Sequence, residues 1–369
     1  MAKLIRSRIV SRSRRPAADS VPEPDQDIVR PPALAPESIV RVISPASAGD
    51  AVALSRGVAE LERLGYHVQL TTPPMQADSY FAAPLDARLA EFTQVLRDRE
   101  ANAVIAVRGG YGSAALLDGL GWSRTSAPQS TPPHLPQSIA GLAPKLLIGY
   151  SDITVLQIYL WQRWHWTTIY GPMVAAGFDG GADRLGGYDL TSFLSAVGAA
   201  GGSSSENSTG SAAPSGLNWT IPLCGEILVA GTASGVLLGG CLTLLQTTLG
   251  TPWEIDTHGA ILLLEDRGVK PYQVDRMLVH LAQAGKFRHV RGIVLGEFPD
   301  CDTPAGSNVT VRDVCRRILG GLGIPIVFGA AVGHTPRPIR TVPLGVRARL
   351  IAAGEGKLDV LEPAVSSKQ

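Results

Sequence analysis

The chain is poor in charge, in aromatic rings and in cysteine. Of its 369 residues only 18% are charged and 6% aromatic, and there are four cysteines, Cys224, Cys241, Cys301 and Cys315. No two of these form a Cys-x-x-Cys pair, which excludes a zinc or thioredoxin pattern. Four is also sparse for a disulfide scaffold, so reduced thiols and a cytoplasmic location are expected. A basic face is lacking too. Six of the 33 basic residues (Lys3, Arg6, Arg8, Arg12, Arg14, Arg15) fall in the first fifteen positions, which leaves 27 against 32 acids in the remainder. Counterion release needs a clustered basic surface on the folded body, so no nucleic-acid partner is expected. The N-terminus has no continuous apolar segment, only pairs such as Leu4-Ile5 and Ile9-Val10, and this argues against a secretory signal. The longest uncharged stretch, Ile227 to Trp253, is broken by Gly231, Gly235, Gly239, Gly240, Gly250 and Pro252. It reads as a buried strand, a glycine turn and a core helix, not as a membrane span.

What is abundant is apolar residues (45%), glycine (41) and proline (27). That is enough to bury a core, and the length suits two domains at about 150 residues each. Residues 1–37 are rich in Arg, Ser and Pro without periodicity and read as a disordered extension. From Ser38 the pattern alternates between β and α. Ile39–Ser44, His67–Leu70, Ala103–Val107, Leu146–Gly149 and Thr167–Tyr170 read as strands. Ala51–Leu64, Leu85–Arg99 and Ile153–Trp164 carry helical spacing. Residues 198–217 are almost wholly Gly, Ser, Ala, Asn, Thr and Pro and read as a flexible linker or loop. The same grammar resumes beyond it, with a core helix over Gly239–Leu249, strands at Ile261–Leu264, Gly292–Leu295 and Pro325–Phe328, helices over Val274–Gly285 and Val309–Ile318, and closing β segments. The division is therefore an N-terminal α/β domain over 38–197 and a C-terminal β/α domain over 218–369.

Ligands of open α/β sheets bind beyond the carboxyl ends of strands, so the residues that follow each apolar run matter most. Those residues are Arg108-Gly109-Gly110-Tyr111-Gly112-Ser113, Gly149-Tyr150-Ser151-Asp152, Glu265-Asp266, Gly296-Glu297 and His334. Together they hold a hydroxyl nucleophile, carboxylates, an imidazole and glycine-rich turns, the parts of a Ser–His–acid hydrolase. Gly149-Tyr150-Ser151 at a strand-to-helix turn resembles a nucleophile elbow, although Ile153 stands where a second glycine would be. A plain helix N-cap by Ser151 or Asp152 accounts for that stretch equally well. Glu265-Asp266 could equally pair with Arg267 or Arg276. His258 is the only histidine nearby, so a metal site there has little support. The Gly109–Gly112 turn lacks the Gly-Lys-Ser/Thr of a phosphate loop. It also lacks the acid about 20 residues on that a dinucleotide fingerprint requires. It stays open as an oxyanion loop or a tight turn.

Taken in order, these motifs resemble the LD-carboxypeptidase family, the muramoyl-tetrapeptide carboxypeptidase group of serine peptidases. The resemblance runs through Arg108–Gly112, Ile148–Asp152, Gly171-Pro172-Met173, Leu238-Gly239-Gly240, Gly250-Thr251-Pro252-Trp253, Leu264-Glu265-Asp266, Asp275-Arg276-Met277, Val294–Phe298, Gly333-His334 and Pro343-Leu344-Gly345, across roughly residues 38–362. It implies a flavodoxin-like α/β domain followed by a swivelling-type β/α domain. It implies a triad of Ser151, Glu265 and His334, with the backbone N–H groups of Gly110 and Asp152 at the oxyanion. Arg108 and Tyr111 become the candidates for substrate contact. The implied reaction is hydrolysis of the diaminopimelate–D-alanine bond of a murein tetrapeptide, with no cofactor and no metal, by a homodimer in family analogy. Some members of the family are immunity peptidases acting on peptidyl- or aminoacyl-nucleotide antibiotics such as microcin C. For that alternative Trp219 is the candidate platform for the base.

Overall fold

A computed structural model describes residues 28–71, 80–120, 142–199 and 219–366. The first half alternates strands β1 (Ile39–Ile43), β2 (His67–Leu70), β3 (Ala103–Ala106), β4 (Leu146–Gly149) and β5 (Thr168–Tyr170) with helices. These are α1 (Ala51–Arg63), α2 (Leu85–Arg97), α3 (Leu116–Leu120), α4 (Thr154–Trp164) and α5 (Leu190–Ala196). The second half contains β6 (Trp219–Pro222), β7 (Glu226–Val229), β8 (Gly231–Cys241), α6 (Leu242–Thr247), β9 (Ala260–Glu265), α7 (Pro271–Gln283), β10 (Gly292–Gly296), α8 (Val311–Leu319), β11 (Ile326–Ala330), β12 (Val342–Leu344), β13 (Arg347–Ala352) and β14 (Lys357–Val360).

These strands build two sheets, ordered β12-β5-β4-β3-β1-β2 and β6-β14-β13-β8-β9-β10-β11-β7. In the first, β1 to β5 run parallel. In the second, β8 to β11 form a parallel core flanked by antiparallel strands. The inner parallel strands β3, β4, β9 and β10 are buried at every position, as at Ala103–Ala106 and Ala260–Glu265. This is what helices on both faces require, and it is why the sequence shows continuous apolar runs there and not alternation. Helix α4 is buried all round over Thr154–Leu160, whereas α1 and α8 bury one stripe each. In α1 that stripe is Ala53, Gly57 and Leu61, with Asp50 capping the N-terminus by accepting from the Val52 and Ala53 N–H groups. In α8 it is Val311, Val314, Cys315 and Leu319, opened by a Thr310–Asp313 capping box. Each wholly buried leucine on such a stripe contributes about 1.5–3 kcal/mol.

Three expectations need correcting. Gly239 and Gly240 do not start a helix. They lie in β8, which runs to Cys241, and the helix is only Leu242–Thr247. A Cβ on Gly239 would stand 2.1 Å from the Leu263 carbonyl oxygen, so the glycine pair serves close strand approach where the hydropathy alone suggested a turn. Second, residues 28–37 belong to the packed body. Val29 bridges to Trp166, Pro32 to Ser366, Leu34 is buried, and Arg30 pairs with Glu362 at 2.9 Å. Residues 1–27 of the expected extension and 200–217 of the expected linker lie outside the described residues. Third, β12, from the second half of the chain, forms the edge of the first sheet by pairing antiparallel with β5. The halves of the chain are therefore not two separate sheets. No helix among the described residues is long and apolar enough to cross a membrane, and the uncharged stretch is strand and short helix.

Candidate active site

Ser151 sits immediately beyond β4, at the first residue of a 3-10 turn (Ser151–Ile153) that leads into α4. Its φ is +64°, a left-handed value that a serine holds at a cost of about 1–3 kcal/mol and that recurs where function needs an exposed side chain. The turn keeps Tyr150, Asp152 and Ile153 inside and leaves Ser151 half-exposed. Ile153, which broke the sequence pattern, completes the elbow, because its side chain packs over Gly149, where a Cβ would lie 3.0 Å from Ile153 Cγ1.

The turn after β3 lies against the serine. A Cβ on Gly109 would stand 2.8 Å from Ser151 Cβ, 3.0 Å from Ser151 Oγ and 3.2 Å from the Asp152 backbone nitrogen. The missing side chain thus lets this turn come close to both Ser151 Oγ and the Asp152 N–H. Gly110, at φ +116°, is exposed, and the Ser47 hydroxyl accepts from the next N–H, that of Tyr111, at 3.1 Å. The Asp152 carboxylate faces away, buried, and accepts from the Ser113 N–H at 2.7 Å. Burial pushes its carboxyl above the usual range. Arg108 is exposed at the rim. Tyr111 is 60% exposed and stacks on Phe81 with centroids 5.7 Å apart.

Glu265, the last residue of β9, is wholly buried. Its Oε2 accepts two bonds from one residue, the His334 N–H at 2.8 Å and the His334 Nδ1–H at 2.8 Å. A carboxylate only accepts, so the ring proton is on Nδ1 and Nε2 is left as a lone pair. This close seat requires Gly333, where φ is +61° and a Cβ would lie 2.5 Å from Glu265 Cδ. Burial alone would raise the Glu265 carboxyl, but the charge and hydrogen bonds of His334 and the bond from Tyr170 outweigh it and hold it below the usual range. Burial would likewise lower His334, yet the adjacent Glu265 carboxylate raises it above its ordinary value. Beyond the histidine, Glu297 braces the loop by accepting from Thr335 Oγ1 and by pairing with Arg337 at 2.7 Å.

The structure therefore brings Glu265 and His334 into direct contact and places Ser151, Gly110, Asp152, Arg108 and Tyr111 on two adjoining turns. A hydroxyl, an imidazole with a free Nε2, an orienting carboxylate and converging backbone N–H groups can perform acyl transfer. Two functional neighbours escaped the sequence reading. Tyr170, read only as a strand end, reaches both Ser151 and Glu265. Arg88, one charge in an amphipathic helix, is buried and donates to the carbonyls of Ala83, Pro45 and Gly112, tying together the turns that flank the serine. Helical spacing puts Arg88 on the face of Phe92, Val95 and Leu96, but its charge reads as a surface position. The order of motifs, with Tyr170 directly before Gly171-Pro172, was the available signal for the tyrosine. Trp219, by contrast, lies on β6, the outer edge of the second sheet and four strands from β9, so it is not part of this constellation.

Comparison with known proteins identifies the family. Family models for the LD-carboxypeptidase N-terminal domain and C-terminal domain match residues 40–171 and 234–350. A probable murein peptide carboxypeptidase of Bacillus subtilis is 32% identical over 338 residues, 91% of this chain and 95% of that protein. The chain belongs to the LD-carboxypeptidase family. A murein tetrapeptide carboxypeptidase of Pseudomonas aeruginosa is 31% identical over 80% of this chain and 87% of its own. Among solved structures, a muramoyltetrapeptide carboxypeptidase from Oxalobacter formigenes aligns with a TM-score of 0.69 at 25% identity, over 88% of this chain and 99% of that one. The wild-type microcin C7 self-immunity protein MccF aligns with a TM-score of 0.75 at 22% identity, over 92% and 100%. That second likeness shows a shared α/β fold.

Proposed function

We propose that this member of the family is a serine LD-carboxypeptidase that removes the terminal D-alanine from a murein tetrapeptide by cutting the diaminopimelate–D-alanine bond, as in peptidoglycan recycling. The observation that carries the reading is the buried Glu265–His334 pair, with both 2.8 Å bonds ending on one carboxylate oxygen, beside a serine held in the left-handed region. In this reading His334 Nε2 takes the proton of Ser151 Oγ as the oxygen attacks the scissile carbonyl. His334 then returns the proton to the leaving D-alanine amine, and water resolves the acyl-enzyme by the same route. Glu265 fixes the tautomer and stabilises the imidazolium. The Asp152 and Gly110 N–H groups, on the two turns that the bare Gly109 lets approach each other, receive the oxyanion. Arg108, exposed on the same turn, supplies a cation for the free carboxylate of the D-residue, and Tyr111 a contact surface.

The names of the Bacillus subtilis and Pseudomonas aeruginosa relatives favour murein peptide as the substrate class. The test is release of D-alanine from a defined tetrapeptide, run beside cleavage of an aminoacyl sulfamoyl adenylate. D-alanine release lost in Ser151→Ala supports the proposal. Hydrolysis of the adenylate alone would replace it with the immunity-type reading, and an unimpaired, folded Ser151→Ala protein would overturn both.

A further inference from the structure

Tyr170 closes β5 and is wholly buried at the seam between the two sheets. Its hydroxyl oxygen accepts from the Ser151 backbone N–H at 3.3 Å, and the hydroxyl donates to Glu265 Oε1 at 2.5 Å. A phenol has one proton. Since Glu265 can only accept, that proton lies toward the carboxylate and an oxygen lone pair faces Ser151. Burial, with the neighbouring Glu265 charge, holds the phenol well above its ordinary value, so it keeps its proton throughout the working range. The ring cannot swing away readily. It packs against the bare backbone of β8, where a Cβ on Gly240 would lie 3.0 Å from Tyr170 Cε2, and edge-on to Tyr150 at 6.2 Å. Tyr150 in turn packs edge-on against His334 at 5.0 Å.

The two ends of this hydroxyl fall on groups that come from different sheets. At one end is the backbone of a residue in an unfavourable conformation, φ +64°. At the other is the second oxygen of the carboxylate whose first oxygen is occupied by His334. Resting on the Ser151–Glu265–His334 reading, we propose that Tyr170 is a positioning residue that couples the two. It holds the Ser151 turn in its left-handed form and draws charge away from Glu265, so that serine and imidazole are presented as one unit.

A residue that only filled the core would affect stability alone. A coupling residue must move the titration of His334. The charged and titratable groups facing the pair are Asp266 and Arg267, next in the chain after Glu265, Cys241 on β8 and Tyr150 after β4. Tyr170→Phe alters none of them. It leaves the Ser151 N–H and Glu265 Oε1 without their shared partner. More negative charge then faces the imidazole, so its proton is held to higher pH.

The experiment compares wild type and Tyr170→Phe in kcat, KM and the pH profile of D-alanine release. It also follows the His334 ring by NMR in ¹⁵N-histidine-labelled Ser151→Ala protein with and without Tyr170→Phe, assigning the ring through His334→Gln. Expected are a fall in kcat of about 10²-fold, as for a misplaced reacting group, a KM changed less than 2-fold, and a His334 inflection moved to higher pH in both readouts. An unchanged inflection in folded Tyr170→Phe protein overturns the proposal whatever kcat does. If Tyr170→Phe does not fold, 3,5-difluorotyrosine at position 170 makes the phenol a stronger donor. The inflection should then move to lower pH, and its failure to move counts against the proposal equally. The ring titration needs no substrate, so a wild type that releases no D-alanine while His334 shifts would sink the substrate reading and leave the coupling standing.

Discussion

Glu265 holds His334 twice, through its main chain and through its ring, with one carboxylate oxygen receiving both bonds at 2.8 Å. The ring bond sets the orientation of the imidazole and the main-chain bond sets the position of the residue that carries it, both from one oxygen.

The pH dependence follows from the signs. His334 must be neutral to accept a proton, and its pKa lies above the ordinary 6.5. The acid limb of kcat/KM should thus bend above 6.5. Glu265→Gln removes the charge that raises it, so that limb should move to lower pH while kcat falls by about 10⁴. A limb that stays in place while kcat falls would show that another group sets it.

The same pair makes stability depend on pH from both sides. The Glu265 carboxyl is held below its ordinary 4.5, so its contribution is present above that value and is lost as pH falls through the folded pKa. His334 is raised, so its contribution is complete below 6.5 and is lost as pH rises through its folded pKa. Thermal denaturation across pH should show wild type losing more stability than Glu265→Gln at both ends.

Gly333→Ala should separate fold from site. The new Cβ meets Glu265 Cδ at 2.5 Å and the backbone is at φ +61°, so the substitution costs about 1–3 kcal/mol in strain before any repacking. We expect a Tm lower by several degrees, loss of D-alanine release, and loss of the raised His334 titration.

Gly109→Ala should behave differently. Its φ lies outside the left-handed region, so no backbone strain is added, but the new Cβ would stand 2.8 Å from Ser151 Cβ and 3.2 Å from the Asp152 nitrogen, so the Ser151 turn itself must shift. The expected result is a lower Tm with the raised His334 titration kept, and kcat reduced by at least about 10²-fold. Labelling of Ser151 by a fluorophosphonate should slow in parallel.

Arg108→Ala tests the carboxylate contact. Losing a charge-assisted bond to substrate is worth about 1.5–3 kcal/mol, so KM for tetrapeptide should rise roughly 10- to 100-fold. An amidated terminal D-alanine should discriminate less against the variant than against wild type.

Much of this architecture was legible in the chain because parallel strands buried on both faces announce themselves as apolar runs. The boundaries of β2 and β4 coincide with the expected ones, and Ser151, Glu265 and His334 all stand at or shortly after the ends of such runs. The failures have physical causes. Gly239-Gly240 reads as a break in hydropathy, but their role is to let β8 approach β9, a tertiary fact. The three residues of β12 are too few to show a period, and they pair across a gap of some 170 residues. Arg88 looks like any surface charge of a helix until three carbonyls converge on it. Tyr170 is apolar in pattern and polar in use.

The strand exchange at β12 has a consequence for how the molecule can come apart. Because β5 takes its outer neighbour from beyond residue 340, a single backbone cut between Ala199 and Trp219 would not release two independent pieces. The earlier fragment would carry a bare sheet edge at β5, and the later one a stray strand with nothing to pair with. Clipped protein should therefore elute as one particle under native conditions and separate only in denaturant. Each fragment expressed alone should be insoluble, and the two together should rebuild a working catalytic seam.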